Sequence, residues 1–282
     1  MPIYKPSELL SFLNRLGITP KKGLSQNFLI DGNIIRKITA AAVVQADELV
    51  LEIGPGPGSL TQALLDCGAH VVAVEMDEVL ARELERIQTD PQRLDVFCSD
   101  IMKFPIQETL KKMLKPGQKA KVIANLPYHL TTPILALLIP MHELISSLTV
   151  MVQEEVGRRM TAKAGTPEYG SLTVFLEFYS NAKYAFTVSR NCFYPSPKVD
   201  SAIIVLELRK PPLSGEQEEQ FFKITRTSFG HRRKMLRASL KELYDPAKVT
   251  KTLEDVGLNP LARPEDLSMD EFLRLAKALE RD

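Results

Sequence analysis

The stretch VIANLPYHLTTPIL, residues 122 to 135, ends an apolar run on Asn125-Leu126-Pro127-Tyr128 and then takes on helical spacing. A plain strand-to-helix turn needs only a turn residue and a cap, so the amide, the proline and the aromatic call for a further reason. An aromatic face beside an amide suits a flat heterocycle: Tyr128 stacks on the ring while Asn125 and the Leu126 carbonyl reach its edge. The exocyclic amine of an adenine would be such an edge group, and it is a poor nucleophile because its lone pair is delocalised into the ring. Two acceptors that hold the amine hydrogens out of plane expose that pair, and Pro127 stiffens the turn that aims the carbonyl outward. The matching electrophile is a sulfonium methyl group, as in S-adenosylmethionine, with orientation rather than a strong base carrying the step. A stacked base cannot reach such a turn, so the target is expected to be flipped out or single stranded.

A donor site is legible upstream. LEIGPGPGSLTQALL places Gly54, Gly56 and Gly58 in a turn between an apolar run and a helix, where glycine admits a ligand close to the backbone and the helix start offers free N–H groups. That turn alone is shared with dehydrogenases. The acidic residues that close the next two runs sharpen it: Glu75, 21 residues after Gly54, suits the two hydroxyls of a ribose, and Asp100 suits the amine of an adenine. NAD would fit the same crevice, but the chain shows no nicotinamide-side machinery, and prolines 55 and 57 interrupt the usual pyrophosphate fingerprint.

These groups converge only if the runs that end in them lie side by side. ELVLEIG, HVVAVEMD, LDVFCSD, KVIANLP and SLTVMVQ read as strands that alternate with helical segments between residues 48 and 153, which predicts βαβ units and a parallel sheet with helices on both faces. KYAFTVS and SAIIVLEL follow without room for a crossover helix, so an antiparallel edge hairpin is expected. The predicted fold is therefore α/β, a mostly parallel seven-stranded sheet with an antiparallel edge. Beyond KPPLSGEQEE, which reads as a linker, only helical periodicity remains, over 217–243, 246–256 and 264–280. The expected division is 1–210 and a small all-helical 211–282.

Composition narrows the class. With 282 residues and 44% hydrophobic content the chain can bury a substantial core, and no apolar run approaches the ~20 residues of a membrane span. The N-terminus lacks a secretory pattern, so a cytoplasmic location is expected. Cys67, Cys98 and Cys192 are odd in number and outside any CxxC spacing; they read as small buried apolar residues. Four dispersed histidines offer no ligand cluster, and no metal is called for. Net charge is only +1, yet Phe221 to Lys241 carries seven Lys or Arg and no carboxylate. If that segment is one helix, Phe222, Phe229, Leu236 and Leu240 share a side, and Arg226, Arg233 and Arg237 share another, with Gly230 a point of bending.

The residues quoted, together with GLSQNFLID, SDIMKF, QEEVGRRM, YGSLTVFLEFY, FYPSPKVDSAII and HRRKMLRASL, resemble the KsgA/RsmA family of small-subunit ribosomal RNA adenine N6,N6-dimethyltransferases from about Lys21 to the C-terminal helices. The resemblance implies a Rossmann-like class I methyltransferase domain with S-adenosylmethionine as donor, held by Asn27, Leu29, Gly54, Gly56, Glu75, Asp100 and Asn125. It implies that Phe193 faces Tyr128 across the flipped adenine, with Asn125 and Leu126 at its amine. The implied substrate is a pair of adjacent adenosines in the 3′-terminal hairpin loop of small-subunit rRNA within a pre-ribosomal particle, bound by a monomer. With that in hand, Arg226, Arg232, Arg233, Lys234 and Arg237 become candidate RNA contacts. Two departures stand out, Ser25 where glycine is common and His129 where asparagine is common. Competing readings are a macrolide-resistance methyltransferase acting on large-subunit rRNA, a noncatalytic assembly or transcription factor on the same fold, and a DNA adenine methyltransferase.

Overall fold

In the computed structural model, residues 3, 5–20, 26–88 and 90–280 are described. Ser25 and the start of the GLSQNFLID stretch lie outside the described residues. The chain forms two compact units, Met1–Gly157 with Lys183–Arg209, and Arg158–Ala182 with Lys210–Asp282.

In the first unit, helix α1 (Pro6–Arg15) precedes a two-residue strand β1 (Phe28–Leu29) and helix α2 (Gly32–Ala41), which Asp31 caps by accepting from the backbone of Asn33 and Ile34. Then come β2 (Leu49–Ile53), α3 (Ser59–Asp66), β3 (His70–Glu75), α4 (Glu78–Glu83), β4 (Leu94–Cys98), α5 (Ile106–Met113), β5 (Ala120–Asn125), α6 (Thr131–Leu138), β6 (Ile145–Gln153) and α7 (Glu154–Met160). After α8 (Ser171–Tyr179), the strands β7 (Ser180–Val188), β8 (Phe193–Tyr194) and β9 (Ser201–Leu208) complete the order. The seven-stranded sheet runs β4-β3-β2-β5-β6-β9-β7. Its first five strands are parallel and β9 is antiparallel to β6, so the mostly parallel sheet with an antiparallel edge is as expected.

Strand β2 is buried at all five positions, the mark of a strand covered on both faces. One face packs under α2 and α3, where Ile38, Ala42 and Leu64 meet Val50, Val71, Ala73 and Ile123. Strand order reverses between β2 and β5, which opens a crevice beyond their carboxyl ends. Register places Ile53 opposite both Val74 and Ala124, so Gly54, Glu75 and Asn125 follow as neighbours at that rim.

The second unit is helical: α8, α9 (Glu216–Gly230), α10 (Leu236–Ser239), α11 (Pro246–Asp255) and α12 (Met269–Leu279). Its core includes Phe178 stacked on Phe221 at 5.0 Å between ring centroids, and Phe229 packed between Tyr169 and Phe272. The single helix expected over 217–243 is two helices. It ends at Gly230, and His231–Met235 form a turn because Arg232 is drawn to Glu265 Oε2 (2.6 Å) and to the Thr166 carbonyl (3.2 Å). The basic residues therefore do not share one helical stripe; His231, Arg233 and Lys234 are exposed on the turn, while Arg226 is on α9. A second correction concerns the cysteines. Cys67 follows the last turn of α3 and Cys98 ends the outermost strand β4, so both are exposed, and Cys192 is half-buried.

Candidate active site

A cavity of about 260 Å³ occupies the crevice at the switch point. Its wall brings together Asn27, Leu29, Gly54, Gly56, Glu75, Asp100 and Asn125, and with them Leu126 and Tyr128, from segments up to about a hundred residues apart. Phe193 does not line it; its ring is buried in the core with Ile38, Met151 and Ile203. The five basic candidates, Arg226, Arg232, Arg233, Lys234 and Arg237, belong to the helical unit, where Arg232 is committed to Glu265.

The glycine turn is shaped for close approach. Gly54, Gly56 and Gly58 all have positive φ, a region that disfavours side chains. A Cβ on Gly56 would come within 3.1 Å of the Phe28 ring, whereas one on Gly54 would meet no protein atom within 4 Å, leaving that space to a ligand. From outside, Arg86 ties the turn down through the Pro57 carbonyl while its guanidinium lies over the Phe12 ring.

Glu75 accepts from Gly56 N–H through Oε2 and from Asp77 N–H through Oε1, both at 2.9 Å. Each oxygen retains a lone pair, so the carboxylate is oriented and still able to accept from a diol. Burial raises its pKa, and the two backbone donors oppose that shift. Asp100 uses Oδ1 to hold Met102 N–H at 3.0 Å and keeps further acceptor capacity on the cavity wall. Glu52, on β2, was not legible as a site residue. It lines the cavity, is 1% exposed, and its Oε2 has no hydrogen-bond partner among the described residues. Desolvation pushes its pKa up to about 8, with the Glu75 charge adding to the shift; the neighbouring Thr61 hydroxyl pulls the other way without reaching hydrogen-bond geometry. A carboxyl inside the otherwise apolar run LVLEI is the signal that could have marked it.

At the end of β5 the turn is pinned on several sides. Asn125 Nδ2 donates to the Asn27 carbonyl at 3.2 Å, which leaves Oδ1 as the free-facing acceptor end of the amide. Leu126 N–H is held by the Met151 carbonyl at 3.1 Å, and after Pro127 a single 3-10 turn carries Tyr128, His129 and Leu130. The Tyr128 hydroxyl shares a hydrogen bond of 2.7 Å with Ser201 Oγ on β9. Burial raises the Tyr128 pKa, so the side chain offers a ring face and a neutral hydroxyl rather than a phenolate base. His129, one of the two departures, is on the cavity wall.

The cavity thus carries a carboxylate for a diol, a second acceptor beyond it, a glycine cradle, a buried acceptor without a partner, and an amide oxygen beside an aromatic face. That set fits an adenosine-bearing cation. Among the described residues no group of His, Cys, Asp and Glu could hold a metal ion, and no helix is long and apolar enough to cross a membrane.

Comparison with known proteins bears on the same question. The model of the family described as ribosomal RNA adenine dimethylase matches residues 18–281. The ribosomal RNA small subunit methyltransferase A of Protochlamydia amoebophila is 66% identical over 275 residues, covering 98% of this chain and 96% of that protein. Among solved structures, a dimethyladenosine transferase from Plasmodium falciparum superposes with a TM-score of 0.75 at 25% identity, covering 87% of this chain and 94% of its own. The 23S rRNA methyltransferase ErmE superposes with a TM-score of 0.71 at 28% identity, covering 90% and 100%.

Proposed function

We propose a reaction for this chain, which belongs to the ribosomal RNA adenine dimethylase family: it dimethylates the N6 amines of two adjacent adenosines in the 3′-terminal hairpin loop of small-subunit rRNA, using S-adenosylmethionine. The observation that carries this reading is the pinned Asn125-Leu126-Pro127-Tyr128 turn standing on the same cavity wall as Glu75 and Asp100.

S-adenosylmethionine, when bound, supplies an electrophilic methyl carbon on a positively charged sulfur. Glu75 receives the ribose hydroxyls, Asp100 the adenine amine, and the Gly54–Gly56 backbone, Asn27 and Leu29 enclose the remainder. On the acceptor side, Tyr128 stacks on the flipped adenine, and Asn125 Oδ1 with the Leu126 carbonyl accepts the N6 hydrogens. Holding those hydrogens turns the nitrogen lone pair toward the donor. As N6 bonds to the methyl carbon, that carbon's bond to sulfur would break to leave a neutral thioether, and N6, made acidic by the new bond, would give its proton to solvent, so no strong base is needed and alignment does most of the work. A monomethylated amine keeps one hydrogen and its lone pair, so one of the two acceptors still holds it for a second transfer once the pocket admits the extra methyl. Phe193 takes the opposite face of the base, which requires its ring to leave the core position it holds here.

In this reading residues 1–210 hold the donor and the target base, and 211–282 engage rRNA phosphates through Arg226, Arg233, Lys234 and Arg237, with Arg232 bracing the turn that presents them. The protein works as a cytoplasmic monomer on a pre-ribosomal particle. Incubating purified protein and labelled donor with undermethylated small and large subunits, then mapping the nucleoside, tests it. N6,N6-dimethyladenosine at two adjacent small-subunit positions is the expected product. Label confined to large-subunit RNA would favour the activity named for ErmE, and alkylation at a ring nitrogen would overturn the amine grip.

A further inference from the structure

The turn that grips the base is steadied by a residue far from it in sequence. Ser201 is the first residue of β9, is fully buried, and lies at 2.7 Å from the Tyr128 hydroxyl. Between them in the sheet runs β6: Asn125 pairs with Met151 on one side, and Gln153 pairs with Ser201 on the other. Tyr128 therefore reaches past the end of β6 to its anchor.

The corner that carries Ser201 is itself held firmly. The Asp200 carbonyl accepts from Glu154 N–H at 3.0 Å, Asp200 Oδ1 accepts from Arg190 N–H at 2.9 Å, and the Lys198 carbonyl accepts from Arg190 Nη1 at 3.2 Å. A serine hydroxyl on such a corner is a fixed point, whereas a tyrosine ring on a short turn has two free rotors. Joining the two fixes the direction of the ring's long axis, and the preference of a phenolic hydrogen bond for the ring plane biases rotation about that axis, both before any base arrives, which favours one approach direction for a stacking partner.

We infer that Ser201 is a positioning residue for methyl transfer: through its hydrogen bond to Tyr128 Oη it fixes the ring face against which the target adenine is presented. The inference rests on the proposed role of Tyr128. It predicts that the Ser201 hydroxyl matters only while the tyrosine hydroxyl is there to receive it.

The test is a double-mutant cycle on the full-length protein with small-subunit particles as substrate. Ser201→Ala is expected to lower kcat/KM about fivefold to tenfold, the size of one lost hydrogen bond. Tyr128→Phe should cost the same, and the double variant should cost no more than either alone. The dissociation constant for S-adenosylmethionine, measured by calorimetry, should be that of the wild type in all three. Ser201→Cys, slightly larger and a weak hydrogen-bonding partner, should behave like Ser201→Ala in turnover, and wild-type thermal melts for both variants show that folding is not the cause. If Ser201→Ala costs as much in the Tyr128→Phe variant as in the wild type, the anchor is overturned, as it is by a loss traced to donor affinity. Absence of N6,N6-dimethyladenosine from the wild-type reaction would instead strike the parent reading, so the two failures are told apart.

Discussion

Replacing Glu52 by glutamine should remove a large part of the pH dependence of folding. In the native state Glu52 is 1% exposed and its pKa is pushed up to about 8 from an ordinary 4.5. A carboxyl whose native pKa is raised holds a proton that the unfolded chain releases. Its contribution is therefore fully favourable below about pH 4.5 and is lost as pH rises through about 8. The whole interval corresponds to roughly 4 to 5 kcal/mol, of which about 3 kcal/mol is expressed by pH 7. Glutamine mimics the neutral acid in size and polarity without a proton to lose, so Glu52→Gln should keep near pH 7 the stability that the wild type shows near pH 5. Urea titrations followed by far-ultraviolet circular dichroism at pH 5, 6 and 7 would read this as a divergence of the two midpoints by about 1 M at pH 7, taking a slope near 3 kcal/mol per molar for a chain of this size. If the two proteins lose stability in parallel as pH rises, Glu52 is not the buried neutral acid described.

Three further outcomes are expected. Asn125→Ala should abolish detectable methyl transfer while S-adenosylmethionine still binds by calorimetry, because in the proposed reaction the amide aligns the acceptor amine; unchanged turnover would remove Oδ1 from the reaction. Alanine at both Arg233 and Arg237 should weaken particle binding and shallow the slope of log affinity against log salt by about 1.5, and an unaltered slope would show that neither meets a phosphate. Gly58→Ala should lower stability by about 1 to 3 kcal/mol and melting by several degrees, since its φ is +84° and the new Cβ would fall 2.7 Å from Leu84 Cδ2; a wild-type melt would contradict the crowding.

The sheet was legible because its central strands, such as β2 and β3, are short apolar runs buried on both faces, so burial pattern and strand–helix alternation agreed. The convergence of Gly54, Glu75, Asp100 and Asn125 on one cavity was legible because each closes such a run, and strand ends share one rim in a doubly wound sheet. The break at Gly230 was half legible. Glycine marks a weak point, but the capture of Arg232 by Glu265, 33 residues on, is a tertiary contact that no local pattern shows. The cysteines misled because their burial depends on where a helix stops and which strand is outermost. Ser201 and Glu52 were missed for a related reason: each looks like an ordinary strand residue until a partner from another segment, or the lack of one, is seen.

The small ribbon of β1 and β8 ties Leu29, on the cavity wall, to Phe193, and Phe28 to Tyr194. The cavity wall at Leu29 and the core position of Phe193 are therefore joined as one piece. A movement that swings Phe193 out of the core must either drag Leu29 with it or unzip both rungs, so repositioning that ring and keeping the cavity wall steady are one mechanical problem.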